Sequence, residues 1–387
     1  MWCERSRFVR TVVLLGLVVV LCVIGAEGGV VARVQAHAGP VVGGPRFPGT
    51  ACPAFPADNV WNTPVTGLPV DGRSAVWLGH MAAGSTFLHP DYGPAGGGAP
   101  PYGIPWQVTS RHPKFVRVHF RYAGQSDRGP YPFSARTPIE GGADATGDRH
   151  ALMVDPATCV LYELYDAHYR PNDSSTAGSG AIWNLRSDRL RPAGWTSADA
   201  AGLPILPGLV NYDEVKSGHL DHAIRFTAQT TSTSYLWPAR HQAGSTTNPN
   251  YPPMGARFRL KAGFTLPQSR CARPCQVVIQ AMKTYGLILA DNGSNWYFGG
   301  TADRRWTDTM VDQLKQIPAN AFQAVNERCL MVSPNSGEAR QPGTSAYNSA
   351  CSGRAPRDHS TSAVNGAHHT PATTTFGPVA LRGRRAQ

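Results

Sequence analysis

Short apolar or alternating runs recur through the middle of this chain, each closed off by Gly, Pro, Asn or Asp: Trp106–Thr109, Phe115–Tyr122, Ala151–Asp155, Cys159–Tyr165, Ala181–Leu185, Ala223–Thr227, Tyr235–Trp237, Arg257–Leu260, Leu287–Ala290 and Trp296–Phe298. Runs of this length and spacing suit strands and are too short for most helices. With 41 Gly, 33 Pro and only 16% charged residues, a long helical or coiled-coil fold is excluded. The pattern predicts a mainly β protein: a single large antiparallel β-sandwich or jelly-roll-like domain with a few short helices. Helices are expected at 74–83, 276–285 and 307–317, the last stopped by Pro318, with a short turn at 197–201. Between residues 50 and 330 there is neither a repeat nor a linker, so one domain spanning 39–332 is expected.

The two ends read differently. Arg5, Arg7 and Arg10 precede an apolar run from Thr11 to Ile24, followed by small residues and Ala36-His37-Ala38. That is the layout of a secretory signal over residues 1–38, with cleavage after Ala26 or Ala38, the latter preferred. The apolar run falls short of the roughly 18–20 residues that span a bilayer, so no transmembrane anchor is expected after processing, and the localisation expected is extracellular. Residues 333–387 are Pro, Ser, Gly, Thr, Arg and His with almost no apolar periodicity, which predicts a disordered basic tail. Of the formal net charge of +11, the tail carries +4 and the signal +2, leaving +5 to the body. An overall basic charge placed mostly at the ends does not indicate a nucleic-acid partner.

Once the signal with Cys3 and Cys22 is removed, six cysteines remain: Cys52, Cys159, Cys271, Cys275, Cys329 and Cys351. An even count in an exported chain indicates disulfides, although spacing does not choose among the pairings. Cys271 and Cys275 suit a small closed loop; a zinc site is the competing reading, without a second nearby pair to support it.

Candidate chemistry centres on Asp148-Arg-His-Ala-Leu-Met-Val-Asp-Pro-Ala-Thr-Cys-Val-Leu-Tyr-Glu-Leu-Tyr165. Asp155-Pro156 favours a tight turn between two antiparallel strands. A two-residue loop sets Cys159 opposite Val154, Leu161 opposite Leu152 and Glu163 opposite His150. An imidazole against a carboxylate on an apolar face is suited to proton transfer, and equally to mutual satisfaction of two polar groups. His222 and His241 are further candidate acid–base residues with Asp148, and Arg149 and Arg225 are candidate substrate-binding cations. His219-x-x-His222 is too sparse to define a metal site, so no metal is expected. Trp183, Trp195 and Trp237, beside polar residues, are candidate platforms for sugar rings. No phosphate loop, His-Glu-x-x-His, Gly-x-Ser-x-Gly or pair of CxxC elements occurs, so no cofactor is expected.

The body also resembles a family of secreted, largely uncharacterised bacterial proteins. The resemblance rests on Phe55-Pro-Ala-Asp-Asn-Val-Trp-Asn62, Leu88-His-Pro-Asp91, Pro101-Tyr-Gly-Ile-Pro105, Ile139-Glu-Gly-Gly142, Gly147-Asp-Arg-His150, Arg191-Pro-Ala-Gly-Trp-Thr-Ser-Ala-Asp-Ala-Ala-Gly-Leu-Pro-Ile205, His222-Ala-Ile-Arg-Phe226, Pro238-Ala-Arg-His241, Tyr285-Gly286 and Ala290-Asp-Asn-Gly-Ser294. It implies one body domain with an accessory tail and assigns no reaction.

The expectation from the residues is an exported, monomeric, carbohydrate-active protein whose partner is a polysaccharide or cell-envelope glycan. As a hydrolase it would draw two carboxylates from Asp127, Glu140, Asp148, Glu163, Asp199 and Asp291. As a lyase it would need a His base and an Arg to neutralise a uronate. The alternative is a glycan- or envelope-binding protein without catalysis.

Overall fold

The computed structural model describes residues 44–96 and 99–351, and the strands form at most of the apolar runs. They are β1 (His89–Asp91), β2 (Trp106–Val108), β3 (Val118–Phe120), β4 (Ala151–Asp155), β5 (Val160–Tyr165), β6 (Ser175–Ala177), β7 (Ser179–Asn184), β8 (Ile224–Ala228), β9 (Arg257–Leu260), β10 (Leu287–Asn292), β11 (Tyr297–Gly299) and β12 (Phe322–Val325). Six of them make a sheet in the order β1-β11-β8-β10-β9-β12, four a second in the order β2-β4-β5-β7, and β3 with β6 a two-stranded ribbon. The fold is strand-rich, as expected, but the sheets are mixed and not antiparallel throughout. The pairs β1–β11, β8–β10, β2–β4 and β3–β6 run parallel. Parallel pairing needs a long crossover. The stretch between β8 and β10 supplies one, carrying β9 and the 12-residue helix Arg273–Thr284. That helix turns Cys275, Val278, Ile279 and Met282 to the core, the spacing of one helix face.

β4 explains why two cores exist. All five of its residues are buried. Leu152 and Val154 join the main core with Leu161, Ala181 and Trp183, while Ala151 and Met153 join a second core with Val118, Tyr131, Phe133, Tyr162 and Leu164. The four-stranded sheet thus divides the core under the large sheet from the core under the β3–β6 ribbon.

The β4–β5 hairpin forms where expected, in a different register. Its pairs are Asp155 with Val160, Val154 with Leu161, Leu152 with Glu163 and Ala151 with Leu164. The connection spans residues 156–159. The Asp155 carboxylate accepts from Ala157 N at 2.9 Å and Thr158 Oγ1 at 2.7 Å, and Cys159 takes a left-handed φ of 54°. Cys159 is fixed there by its disulfide to Cys52. The extra two residues keep each side chain on its predicted face but slide Glu163 away from His150.

The cysteines pair as Cys52–Cys159, Cys271–Cys275 and Cys329–Cys351. The third bridge belongs to a correction: residues 333–351 are not a loose tail. Val60 N donates to Gly337 O at 2.8 Å, Ala339 N to Asp58 O at 2.8 Å, and Ala339 is buried. The remaining tail, 352–387, and the proposed signal lie outside the described residues. Among those described, no helix is long and apolar enough to cross a membrane.

Candidate active site

Arg225 sits on β8, inside the six-stranded sheet, and is nearly buried. A guanidinium there needs a full complement of acceptors. It finds Asp199, which receives Nε and Nη2 at 2.7 Å each; the Asp199 side chain is wholly enclosed. Asp199 is delivered by the loop after β7, where Ser197 Oγ accepts from Asp199 N at 2.9 Å and donates to Leu203 O. Gly299 on β11 leaves the space Arg225 fills: a Cβ there would lie 3.2 Å from its Nη1 and 2.8 Å from Leu209 Cδ2.

Asp291 approaches from β10, where the ladder to β8 shifts between Leu289 and Asp291. Its carboxylate lies 3.6 Å from Arg225 Nη2 and its side chain is 24% exposed. Burial and the adjoining Asp199 carboxylate raise its pKa well above the ordinary carboxylate range, against the pull of Arg225. The neutral form of Asp291 is thereby favoured next to the Asp199–Arg225 pair.

His150 and Glu140 complete the group. Arg149, at a left-handed φ of 51°, turns the chain into β4, and its guanidinium donates to the carbonyls of Ala143, Ala145 and Ala167. The His150 ring lies between Glu140 Oε2, 2.5 Å from Nδ1, and Ala198 O, 3.1 Å from Nε2. With an acceptor on each nitrogen the ring donates twice and is an imidazolium. Burial opposes that charge, but Glu140 outweighs it with help from Asp148, and the pKa is raised to about 9. Burial likewise works against the Glu140 charge, and His150 more than offsets it, holding Glu140 below its ordinary value. The Glu140 side chain remains 28% exposed. Asp91, at the end of β1 and exposed, is pushed up by desolvation and by Glu140 and Asp148. Tyr165, whose ring centroid is 5.8 Å from that of His150, is pushed up to about 12 by burial, Asp148 and Asp166.

Asp91, Glu140, Asp148, His150, Asp199, Arg225 and Asp291 thus act on one another's charge as a single acidic cluster, hereafter the recess. Six of the residues expected at a site belong to it: His150, Asp148 and Arg225, together with Glu140, Asp199 and Asp291 from the carboxylates considered for hydrolysis. The others do not. Glu163 is enclosed in the main core, where it accepts from Ile205 N at 2.9 Å, Leu206 N at 2.9 Å and Trp183 Nε1 at 3.0 Å; burial raises it to about 7. The His150–Glu163 dyad is not formed, because the longer turn moved the register and Glu140 took the imidazole. His222 pairs with Glu214 at 3.3 Å and with Ala223 O. His241 Nδ1 bonds Ala200 O at 2.8 Å, its pKa is lowered by burial, and among the described residues no carboxylate pairs with it.

The cations and rings read as sugar contacts are otherwise engaged. Arg149 is spent on three carbonyls. Trp183 and Trp195 flank the Arg191 guanidinium at 5.6 and 5.5 Å, and Arg191 is also paired with Asp127. Trp237 Nε1 donates to Ser336 O at 2.8 Å. The residues missed by sequence reasoning are Asp91, Tyr165 and Gly299; Asp91 ends the Leu88-His-Pro-Asp91 string, but nothing local marks it as part of a site.

A cleft of about 640 Å³ lies along the same segment that carries Glu140, bordered by Ile139, Gly141, Gly142, Arg149, Phe133 and Tyr169. No protein family matches the chain, and no curated protein or solved structure shows significant similarity to it.

Proposed function

We propose that this protein is an exported, monomeric glycan hydrolase with Asp291 as general acid and Glu140 as the ionised partner carboxylate. One observation carries the reading: around Arg225, one partly exposed carboxyl is built to keep its proton and another is built to lose it. Environments that push two carboxyl groups apart define an acid and a base. Asp291 passes its proton to the departing glycosidic oxygen as the C–O bond breaks. Glu140 takes a proton from the water whose oxygen joins the anomeric carbon. His150 holds Glu140 charged, and burial with the neighbouring Asp199 carboxylate keeps Asp291 protonated against the pull of Arg225.

Hydrolysis is favoured over lyase chemistry because a lyase needs a free cation to neutralise a uronate. Arg225 is held bidentately by Asp199, and Arg149 is bound to carbonyls. Export is supported by the signal-like N-terminus and by three disulfides, which persist in oxidising surroundings.

The test is to incubate the purified full chain with neutral, acidic and cell-envelope polysaccharides while following reducing ends and the absorbance of unsaturated products. Reducing ends without unsaturation are expected, and Asp291→Asn or Glu140→Gln each lowers the rate by about 10²-fold or more. The wild-type rate should fall on the acid side only below the usual carboxylate range, where Glu140 protonates. It should fall on the alkaline side as Asp291 ionises. Glu163→Gln leaves that profile unchanged. Retention on insoluble glycan without any product would replace the enzyme by a binding protein.

A further inference from the structure

The β3–β6 ribbon carries a second surface of opposite charge. From Val116 to Arg121 the side chains alternate: Val116, Val118 and Phe120 turn to the second core, while Arg117, His119 and Arg121 are exposed. His119 is in register with Thr176 of β6, and Thr176 bridges to His168 on its other side. The outer face forms a groove of about 510 Å³ lined by His119, Arg121, Asp166, His168, Arg170 and Thr176. Its one acid, Asp166, is already engaged by Arg121 at 2.8 Å and His168 at 2.9 Å. The guanidinium groups of Arg117 and Arg170 make no ion pair with the described residues and face water. Exposed Arg111, Lys114, Arg128 and Arg136 lie on the chain segments that flank the ribbon.

The geometry points to this groove as a docking track for an anionic polysaccharide, whose charged sugars rest on the ribbon while a neighbouring linkage enters the recess. Arg117 and Arg121 flank β3 four residue steps apart, about 13 Å along the extended chain, which matches an extended polymer better than a single small anion. The groove adjoins the acidic cluster: Asp166, which lines it, donates its N–H to Asp148 O at 2.8 Å, and the ring of the preceding Tyr165 lies 5.8 Å, centroid to centroid, from that of His150. The recess is acidic and repels anions, so charge recognition falls to the ribbon. This inference rests on the glycan reading for the identity of the polymer, and its test measures binding without turnover.

The experiment compares the full chain with its Arg117→Ala/Arg170→Ala variant for binding to polygalacturonate, chondroitin sulfate, neutral dextran and poly(dT), at about 50 and about 200 mM salt. The wild type is expected to bind an anionic glycan more tightly than poly(dT), and dextran weakly. The variant should bind the anionic glycan about tenfold more weakly with a flatter salt dependence. The basic C-terminal arginines are common to both, so the difference reports the ribbon. The variant should still cleave a short neutral substrate at the wild-type rate, and Glu140→Gln should still bind the anionic glycan. Equal binding by variant and wild type, or tighter binding of poly(dT) than of both anionic glycans, overturns the track. Binding that depends on the ribbon without any cleavage overturns the hydrolase alone.

Discussion

His150→Gln tests the charge arrangement at the centre of the recess. An imidazole titrates near 6.5 in an unfolded chain and at about 9 in this fold. At about 1.36 kcal/mol per unit, that difference is worth about 3 kcal/mol. Because the folded value is the higher one, the stabilisation is complete below pH 6.5 and fades as the pH rises toward 9. The wild-type curve alone does not isolate it. Glu163 and Glu327, buried carboxyls raised to about 7, also stabilise the fold at low pH and lose that contribution as pH rises through 7. Subtracting the variant at each pH removes both. Urea unfolding from about pH 6 to about pH 9.5 should therefore give a wild-type advantage that shrinks by about 3 kcal/mol across the range. Glu140→Gln, which removes the partner, should abolish most of the same slope. A wild-type-minus-His150→Gln difference that stays flat would show a neutral imidazole, and with it Glu140 would lose the counter-charge that keeps it ionised.

Two other perturbations separate the remaining groups. Asp199→Ala strands the buried Arg225 charge, with an expected cost of about 3–5 kcal/mol. At roughly 300 ordered residues this lowers Tm by about 5–8 °C. Asp291→Asn, which replaces a protonated carboxyl by an amide of the same shape, should cost under about 1 kcal/mol, and equal losses in scanning calorimetry would refute the proton assignment. Among the disulfides, Cys52–Cys159 spans 107 residues and Cys271–Cys275 spans 4. Loop-closure entropy gives about 5 and about 2 kcal/mol respectively, so in denaturant the Cys52→Ser/Cys159→Ser variant should be the weaker by about 3 kcal/mol.

The strands were legible because alternation and turn residues are local signals, and β4 and β5 formed where Asp155-Pro156 placed the turn. Their register was not, since it depends on Cys159 adopting a left-handed backbone under a bond to Cys52. Parallel pairing of β8 and β10 was hidden for a related reason: short strands suggest hairpins unless the intervening helix is read as a crossover. The six-residue helix Tyr212–Ser217 was announced by its caps, Asn211 at the start and Gly218 at a φ of 92°, but is too short to show periodicity. In the recess, Glu140 lies in a Gly-rich loop, and Asp199 meets Arg225 from a different element. Each carboxylate could be named as a candidate from the sequence; their meeting required the tertiary fold.

The Cys52–Cys159 bridge makes residues 52–159 a covalent ring, and Asp91, Glu140, Asp148 and His150 all lie on it, while Asp199, Arg225 and Asp291 do not. The stretch 141–148, largely exposed, is where a protease would reach the ring most easily. A cut there turns one chain into two that remain tethered, so Glu140 and His150 stay at the high local concentration the linkage imposes. Only reduction together with cleavage lets the parts diffuse away, and in oxidising surroundings the recess outlasts damage to its own loop.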